Sequence, residues 1–105
     1  MTFILAIGYG GQDEIIRGIK KFVQEGWDVS TLDENTFLPF LETGRFPAPD
    51  LIVRTGGDVR HSGYFLYQSE YSEYYFTDTL WPDFQEQEFY KALNVLKGAK
   101  RNFGK

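Results

Sequence analysis

One stretch of the chain, Asp50-Leu-Ile-Val-Arg-Thr-Gly-Gly-Asp-Val-Arg-His-Ser62, indicates both the architecture and the position of a binding site. It runs from a short apolar segment, Leu51 to Val53, directly into a polar loop. An apolar run without alternation is typical of a strand that is covered on both faces in a parallel sheet. Ligands of open α/β sheets bind at the carboxyl ends of such strands, so residues 54–62 are the expected binding region.

The loop carries the residue types that hold a phosphate or diphosphate group. The guanidinium groups of Arg54 and Arg60 can each meet two phosphate oxygens, and the hydroxyl of Ser62 adds a further hydrogen bond. Gly56 and Gly57 lack a Cβ, so their backbone N–H groups can approach an anion closely. These residues together predict a diphosphate cradle, with the glycine pair as its phosphate loop.

Plainer interpretations of the same residues stay open at this point. Arg54 can form an ordinary ion pair with Asp50 or Asp58, and a glycine pair is more often only a turn. His61 is the single histidine of the chain. We expect it to be a loop residue rather than a base or a metal ligand.

The amino-terminal part of the chain predicts a strand followed by a helix. Phe3 to Ile7 are apolar and end at a glycine-rich turn, which is typical of a buried strand. A helix is expected over Gln12 to Glu25, with acidic residues in its first turn. Its apolar residues share one stripe at helical spacing: Ile15, Ile16, Ile19, Phe22 and Val23.

The remaining elements are a short helix, a third strand and a last helix. Thr31 and Glu34 have the spacing of a capping box and predict the start of the short helix. Tyr74 to Phe76 read as the third strand. Asp83 is the expected cap of the last helix. The inner face of that helix is predicted to carry Phe89, Ala92, Leu93 and Leu96.

Strands that alternate with helices predict an α/β fold with a mostly parallel sheet and flanking helices. Three strands are few for this architecture, so the predicted sheet is partial. An open edge at the Phe3 strand would expose apolar surface and unpaired backbone groups, which natural chains normally cover. We therefore expect further strands to come from a longer native chain or from a partner.

Composition narrows the classes of function. At 105 residues the chain is one domain or part of one, and its net charge of −4 argues against binding nucleic acid. It has no cysteine, and neither a basic apolar leader nor an apolar run long enough to span a bilayer is evident. The cytoplasm is the expected location, with the membrane surface as a further option.

Several motifs in chain order resemble one known family, the cis-prenyltransferases or undecaprenyl diphosphate synthases. The resemblance is to the carboxy-terminal part of that family and covers residues 1–105, taken as one portion of a cis-prenyltransferase domain. The matching motifs are Tyr9-Gly-Gly11, Pro49-Asp-Leu-Ile-Val-Arg-Thr-Gly-Gly57, Arg60, Ser62, Tyr71-Ser-Glu73, Tyr75-Phe-Thr-Asp78 and Leu80-Trp-Pro-Asp-Phe84.

The resemblance implies a parallel sheet and helices around a hydrophobic tunnel, and an activity that adds isopentenyl diphosphate to an allylic diphosphate with cis geometry. It implies that Arg54, Arg60 and Ser62 hold isopentenyl diphosphate, and that Glu73 binds the Mg²⁺ cofactor. It further implies a homodimer, or pairing with a chain that supplies the missing amino-terminal half. Mg²⁺ commonly combines one or two carboxylates with substrate phosphates, which suits this set.

Departures from the family pattern limit this expectation. Asp58 stands where the family has Glu, and Asn102 stands where it has the second Arg of an Arg-Arg-Phe-Gly tail. The family's Asp-Gly-Asn-Arg-Arg-Trp segment, whose aspartate carries the chemistry, has no counterpart in these 105 residues. We therefore expect the chain alone to be inactive in chain elongation. The alternatives are a non-catalytic subunit that docks on another prenyltransferase chain, or an α/β module for some other phosphate ligand.

Overall fold

The computed structural model describes residues 1–105, which group into two compact units. The helical unit contains residues 1–47 and 63–67, and the sheet unit contains residues 48–62 and 68–105. The helical unit holds α1 (Gly11–Gln24) and α2 (Glu34–Phe37), and the sheet unit holds β1 (Leu51–Arg54), β2 (Glu73–Phe76) and α3 (Glu86–Gly98). Short 3₁₀ turns occupy Val29–Thr31, Leu38–Phe40 and Trp81–Asp83. The assignment of residues 1–105 to one domain stays a prediction.

The sheet unit confirms the predicted parallel pairing. Leu51 lies opposite Glu73, and Arg54 lies opposite Phe76. α3 packs on both strands, and its residue Ala92 is fully buried. The expected partial parallel sheet with flanking helices is therefore present, and the carboxyl end of β1 leads into the polar loop.

The predicted strand over Phe3 to Ile7 is wrong for this structure. Residues 1–10 contain no helix or strand, and every residue from Met1 to Gly8 is exposed. A strand exists only when a neighbour supplies hydrogen-bond partners, and the helical unit contains no strand. The apolar sequence is thus present without the pairing that it needs.

α1 begins within one residue of its predicted start, but its apolar stripe faces mostly outward. Ile16, Ile19 and Val23 are exposed, whereas Phe22 is buried. The buried face is instead made of Gly11, Glu14, Gly18 and Phe22. The two glycines explain this choice because they allow neighbouring groups to approach the helix axis closely.

Gly11 and Gly18 are required by these close contacts. A Cβ on Gly11 would lie 2.0 Å from the carbonyl oxygen of Gly63. A Cβ on Gly18 would lie 3.0 Å from a methyl carbon of Leu41 and 3.1 Å from the ring of Phe37. The small-residue face therefore packs inside the helical unit, and the branched side chains are left on the opposite side.

Both predicted helix caps differ from the observed ones. Asp33, rather than Thr31, caps α2, and its carboxylate accepts from the N–H groups of Asn35 and Thr36 at 2.8 Å each. These hydrogen bonds lower the pKa of Asp33. Asp83 lies in a 3₁₀ turn, and α3 begins after Gln85 without a side-chain cap.

The predicted inner face of α3 is correct in part. Ala92 is buried and Leu96 is half-buried, but Phe89 and Leu93 are exposed. A two-stranded sheet is too narrow to cover a full apolar helix face, which needs several neighbouring strands or helices. The exposed side chains follow from the small size of the sheet.

A buried carboxylate holds the helical unit together. Glu14 is 1% exposed, and its Oε1 accepts from the backbone N–H of Thr43 at 2.8 Å and from the Thr43 hydroxyl at 2.7 Å. Its Oε2 accepts from the hydroxyl of Tyr9 at 2.6 Å. Burial, reinforced by the neighbouring carboxylate, raises the pKa of Tyr9 well above its usual range. Glu14 thus joins α1 to the segments on either side of it.

A second polar contact connects β2 with α3. The hydroxyl of Thr77, directly after β2, donates to Oε1 of Glu88 in the first turn of α3. The Thr77 hydroxyl also lies 3.1 Å from the hydroxyl of Thr79. Hydrogen bonds from these two threonines lower the pKa of Glu88. The carboxylate therefore fixes the loop after β2 to the start of the helix.

We expect Glu14→Ala to lower the free energy of unfolding by at least about 3 kcal/mol, because three donors lose their acceptor and each loss costs about 1 to 3 kcal/mol when buried. Glu14→Gln keeps an acceptor oxygen for Thr43 and should cost less than half as much. Urea denaturation followed by circular dichroism measures both. Equal losses in the two variants would show that charge, rather than hydrogen bonding, sets the contribution.

The lowered pKa of Glu88 predicts a pH dependence of stability. A carboxyl whose pKa is lower in the folded state stabilises the fold above its unfolded pKa, about 4.3 for Glu, and loses this effect as the pH falls through its folded pKa. In thermal melts at several pH values, the melting temperature of the wild type should therefore exceed that of Glu88→Gln near neutral pH. This difference should shrink as the pH falls below the unfolded pKa of Glu. A gap between the two melting curves that does not change with pH would contradict this assignment.

Candidate functional site

The candidate site lies at the carboxyl end of β1, where three of the predicted residues meet. Nη1 of Arg54 donates to the hydroxyl of Ser62 at 2.7 Å and to the backbone carbonyl of Arg60 at 2.7 Å. Arg54 is the last residue of β1, so the strand aims its side chain into the loop that follows. The loop therefore closes around one guanidinium group.

Asp58 completes this cluster and lies between the two arginines. Its Oδ2 accepts from Nη2 of Arg54 at 3.2 Å and from Nη2 of Arg60 at 2.5 Å. The pairing of Arg54 with Asp58, one of the plainer interpretations, is present in the structure, whereas Asp50 pairs with Arg101 at 2.5 Å. The sequence suggested Asp58 as a competing partner and gave no sign that it bridges both arginines.

The glycine pair shapes the loop, but its N–H groups are already engaged. Gly56 and Gly57 have φ values of 90° and 88°, in the region that favours glycine. The N–H of Gly56 donates to the carbonyl of Thr79 at 2.9 Å, and that of Gly57 donates to the carbonyl of Thr77 at 3.0 Å. The expected open N–H concavity is thus not formed here, and the phosphate-loop role of the pair stays a prediction.

Ser62 has an unusual backbone conformation. Its φ is 54°, a left-handed value that non-glycine residues adopt at a cost, and such residues cluster at functional sites. This conformation turns the hydroxyl toward Nη1 of Arg54. Next to it, Nε2 of His61 lies 2.7 Å from the hydroxyl of Ser69, and its ring packs against Tyr74. His61 thus belongs to the packing of the loop.

Glu73 lies away from this cluster. It is the first residue of β2, opposite Leu51, whereas Arg54 lies opposite Phe76 at the other end of the sheet. Three residues of strand correspond to about 10 Å. The structure therefore brings Arg54, Arg60 and Ser62 together and leaves Glu73 at the opposite end of the strands.

Glu73 borders a polar cavity of about 230 Å³ formed with the carboxy-terminal tail. The cavity is lined by Glu70, Tyr71, Ser72, Glu73, Lys100, Arg101, Asn102 and Phe103. Arg101 is held there by Asp50, by the carbonyl of Tyr71 at 3.4 Å and by the ring of Phe103 at 4.8 Å. The tail is thus anchored beside the amino ends of the strands.

The residues of one chain do not assemble a complete magnesium site. No group of three or more His, Cys, Asp or Glu side chains is placed to hold a metal ion. Glu73 is a single carboxylate, and the arginine cluster that could hold a phosphate lies at the other end of the strands. The role of Glu73 as a ligand of Mg²⁺ therefore stays a prediction.

The electrostatics of the cluster suit an anion. Two guanidinium groups and one carboxylate give a local charge of about +1 on an acidic chain. The Arg60 side chain is 63% exposed, and its bond to Asp58 uses one of its N–H groups. An incoming anion can therefore reach Arg60 directly and compete with Asp58 for both arginines.

None of the helices in the chain is long and apolar enough to cross a membrane.

The chain is similar to known prenyltransferases in sequence and in structure. Residues 1–104 match the family model described as "Putative undecaprenyl diphosphate synthase". The isoprenyl transferase of Aquifex aeolicus is 48% identical over 96% of this chain and 43% of its own length. The tritrans,polycis-undecaprenyl-diphosphate synthase (geranylgeranyl-diphosphate specific) of Thermoplasma acidophilum is 44% identical over 96% of this chain and 41% of its own length.

Solved structures agree with the sequence match. Lavandulyl diphosphate synthase from Lavandula x intermedia, in complex with dimethylallyl diphosphate, is 39% identical and superposes with a TM-score of 0.89 over 98% of this chain and 46% of its own. The chain thus spans less than half the length of the relatives it matches. With nearly every residue matched by the family model, the chain belongs to the undecaprenyl diphosphate synthase family of prenyltransferases.

Proposed function

We propose that this chain is the carboxy-terminal portion of a cis-prenyl diphosphate synthase and holds the diphosphate of isopentenyl diphosphate at Arg54, Arg60 and Ser62. One observation carries the proposal. Two guanidinium groups converge on a single oxygen, Oδ2 of Asp58, at 3.2 and 2.5 Å. A position that accepts two charge-assisted hydrogen bonds from arginines is the kind of place that a phosphate oxygen takes.

The exchange of Asp58 for a diphosphate is favourable on charge and geometry. Asp58 offers one oxygen to both arginines, whereas a diphosphate offers several oxygens and a larger negative charge. Each charge-assisted hydrogen bond contributes about 1.5 to 3 kcal/mol. The hydroxyl of Ser62, already directed at Arg54, can then donate to a second phosphate oxygen.

From the resemblance to the family, we assign the allylic substrate and the catalytic aspartate to the part of the fold outside the match. The chain covers 41% to 46% of its relatives. Chain elongation with cis geometry is therefore proposed only for this chain together with that further part, whether it lies on the same polypeptide or on a partner. In this role the chain binds the isopentenyl unit and holds it in position.

Magnesium enters the proposal as a counter-ion of the diphosphate. Since Glu73 and Arg54 of one copy lie at opposite ends of the strands, we infer that Glu73 meets a diphosphate at the arginine cluster from a second copy. This arrangement joins the two expectations of a homodimer and of Glu73 as a metal ligand. It leaves each copy incomplete with respect to the metal.

We expect Arg54→Ala to weaken binding of isopentenyl diphosphate roughly 10- to 150-fold, because it removes charge-assisted hydrogen bonds of about 1.5 to 3 kcal/mol. Isothermal titration calorimetry of the purified chain with Mg²⁺ measures the change. Lys97→Ala is the matched control, because it also removes one exposed positive charge. Lys97 lies near the end of α3, about 14 Å along the helix from Glu88, the residue that contacts Thr77 in the loop after β2. Equal weakening in both variants would mean that only net charge attracts the ligand.

The shared metal site predicts complementation between variants. Glu73→Gln should abolish the effect of Mg²⁺ on binding while leaving binding without the metal unchanged. An equimolar mixture of Glu73→Gln and Arg54→Ala chains should regain part of the Mg²⁺ effect, because a mixed pair contains one site with both residues intact. If the mixture behaves as the average of the two separate variants, Glu73 does not act on a second copy.

A further inference from the structure

His61 lies beside the arginine cluster, and its ring is held on two sides. Nε2 of His61 lies 2.7 Å from the hydroxyl of Ser69, and the ring centroid lies 5.9 Å from that of Tyr74. Ser69 is buried and His61 is half-buried. A hydrogen bond prefers a near-linear arrangement, so the contact with Ser69 fixes the rotation of the ring, which packing against Tyr74 alone would leave free.

Both partners of the ring are attached to the paired strands. Tyr74 is a residue of β2, and its ring stacks on that of Phe76 at 5.6 Å. The carbonyl of Ser69 accepts from the backbone N–H of Ser72 at 3.0 Å, and the Ser72 hydroxyl donates to the carbonyl of Pro49 at 2.6 Å. Pro49 lies two residues before β1. The side chain of His61 thus ties the loop after β1 to the sheet itself.

His61 also lies between the two groups that one nitrogen of Arg54 contacts. Nη1 of Arg54 donates to the carbonyl of Arg60 and to the hydroxyl of Ser62, at 2.7 Å each. That carbonyl belongs to the peptide unit directly before His61, and Ser62 follows directly after it. The orientation of both acceptors therefore depends on the backbone of residue 61, which the ring holds in place.

The backbone at Ser62 needs such support. Its φ of 54° lies in the left-handed region, and Ser62 is exposed. A residue other than glycine keeps this conformation only when the surrounding structure imposes it. The fixed ring of the preceding residue is a contact that can impose it.

We propose that His61 is a positioning residue of the diphosphate site. Its ring keeps the hydroxyl of Ser62 and the carbonyl of Arg60 on Nη1 of Arg54 before a ligand arrives. The other terminal nitrogen of Arg54, Nη2, is then left to face the anion position, where it contacts Asp58. A loop arranged in advance binds its ligand more tightly, because less conformational freedom is lost on binding. The inference rests on the proposed function and adds to it a residue that does not touch the substrate.

The test is the affinity of the chain for inorganic diphosphate, measured by isothermal titration calorimetry without metal. We expect His61→Leu to weaken binding about 5- to 10-fold, because Leu keeps apolar packing and loses the contact with Ser69. His61→Gln should stay within roughly twofold of wild type, since its amide nitrogen can take the place of Nε2. Ser69→Ala removes the same contact from the other side, should match His61→Leu, and replaces that variant if it fails to fold.

Coupling to Ser62 separates positioning from a general loss of stability. Compared with Ser62→Ala alone, the double variant His61→Leu/Ser62→Ala should bind diphosphate at most about twofold more weakly, because the hydroxyl that His61 positions is already gone. Leu96→Ala is the matched control. It removes a half-buried side chain about 12 Å along α3 from Glu88, and it should lower the free energy of unfolding in urea with unchanged affinity.

Equal affinity of His61→Leu and wild type would overturn the proposal. A loss that His61→Gln does not restore, or a loss of the same size in the Ser62→Ala background, would also overturn it, because the ring would then act by packing alone. If the wild type binds no diphosphate, or if Arg54→Ala binds it equally well, the proposed function fails and the role of His61 fails with it. Failure of the His61 variants alone, with binding still dependent on Arg54, leaves the proposed function in place.

Discussion

The arrangement of the sheet unit depends on two backbone hydrogen bonds, from the N–H groups of Gly56 and Gly57 to the carbonyls of Thr79 and Thr77. They extend the contact between β1 and β2 beyond the last paired residues and fix where the loop after Arg54 turns. Only a residue without a Cβ adopts φ values near 90° at low cost. This turn then brings the carbonyl of Arg60 and the hydroxyl of Ser62 back to the guanidinium of Arg54.

This constraint gives the glycine pair the turn role that was the plainer interpretation of its sequence, while its phosphate-loop role stays a prediction. Glycines in a phosphate loop and glycines in a tight turn look alike in a sequence, because both need freedom at φ. The structure uses the pair to hold the loop, and in the proposed site the side chains of Arg54 and Arg60, which both contact Asp58, bind the anion. Asp58 keeps those side chains together and partly neutralised.

The sequence predicted the parallel strands and the meeting of Arg54, Arg60 and Ser62, because a short apolar run and the loop that follows it are local patterns. It failed where the outcome depends on tertiary contacts. The inner face of α1 is set by close approach at Gly11 and Gly18, which a count of apolar residues overlooks. Phe3 to Ile7 carry a strand sequence, but the helical unit contains no strand that could pair with them. The separation of Glu73 from Arg54 follows from strand register, which the motif spacing does not reveal.

The central claim is that a diphosphate takes the place of the Asp58 carboxylate between the two arginines. A crystal structure of the chain grown with inorganic diphosphate tests it most directly. The account predicts phosphate oxygens within hydrogen-bond distance of Nη2 of Arg54 and Nη2 of Arg60, with the Asp58 side chain turned away. A diphosphate bound elsewhere, with both Asp58 ion pairs intact, would contradict it.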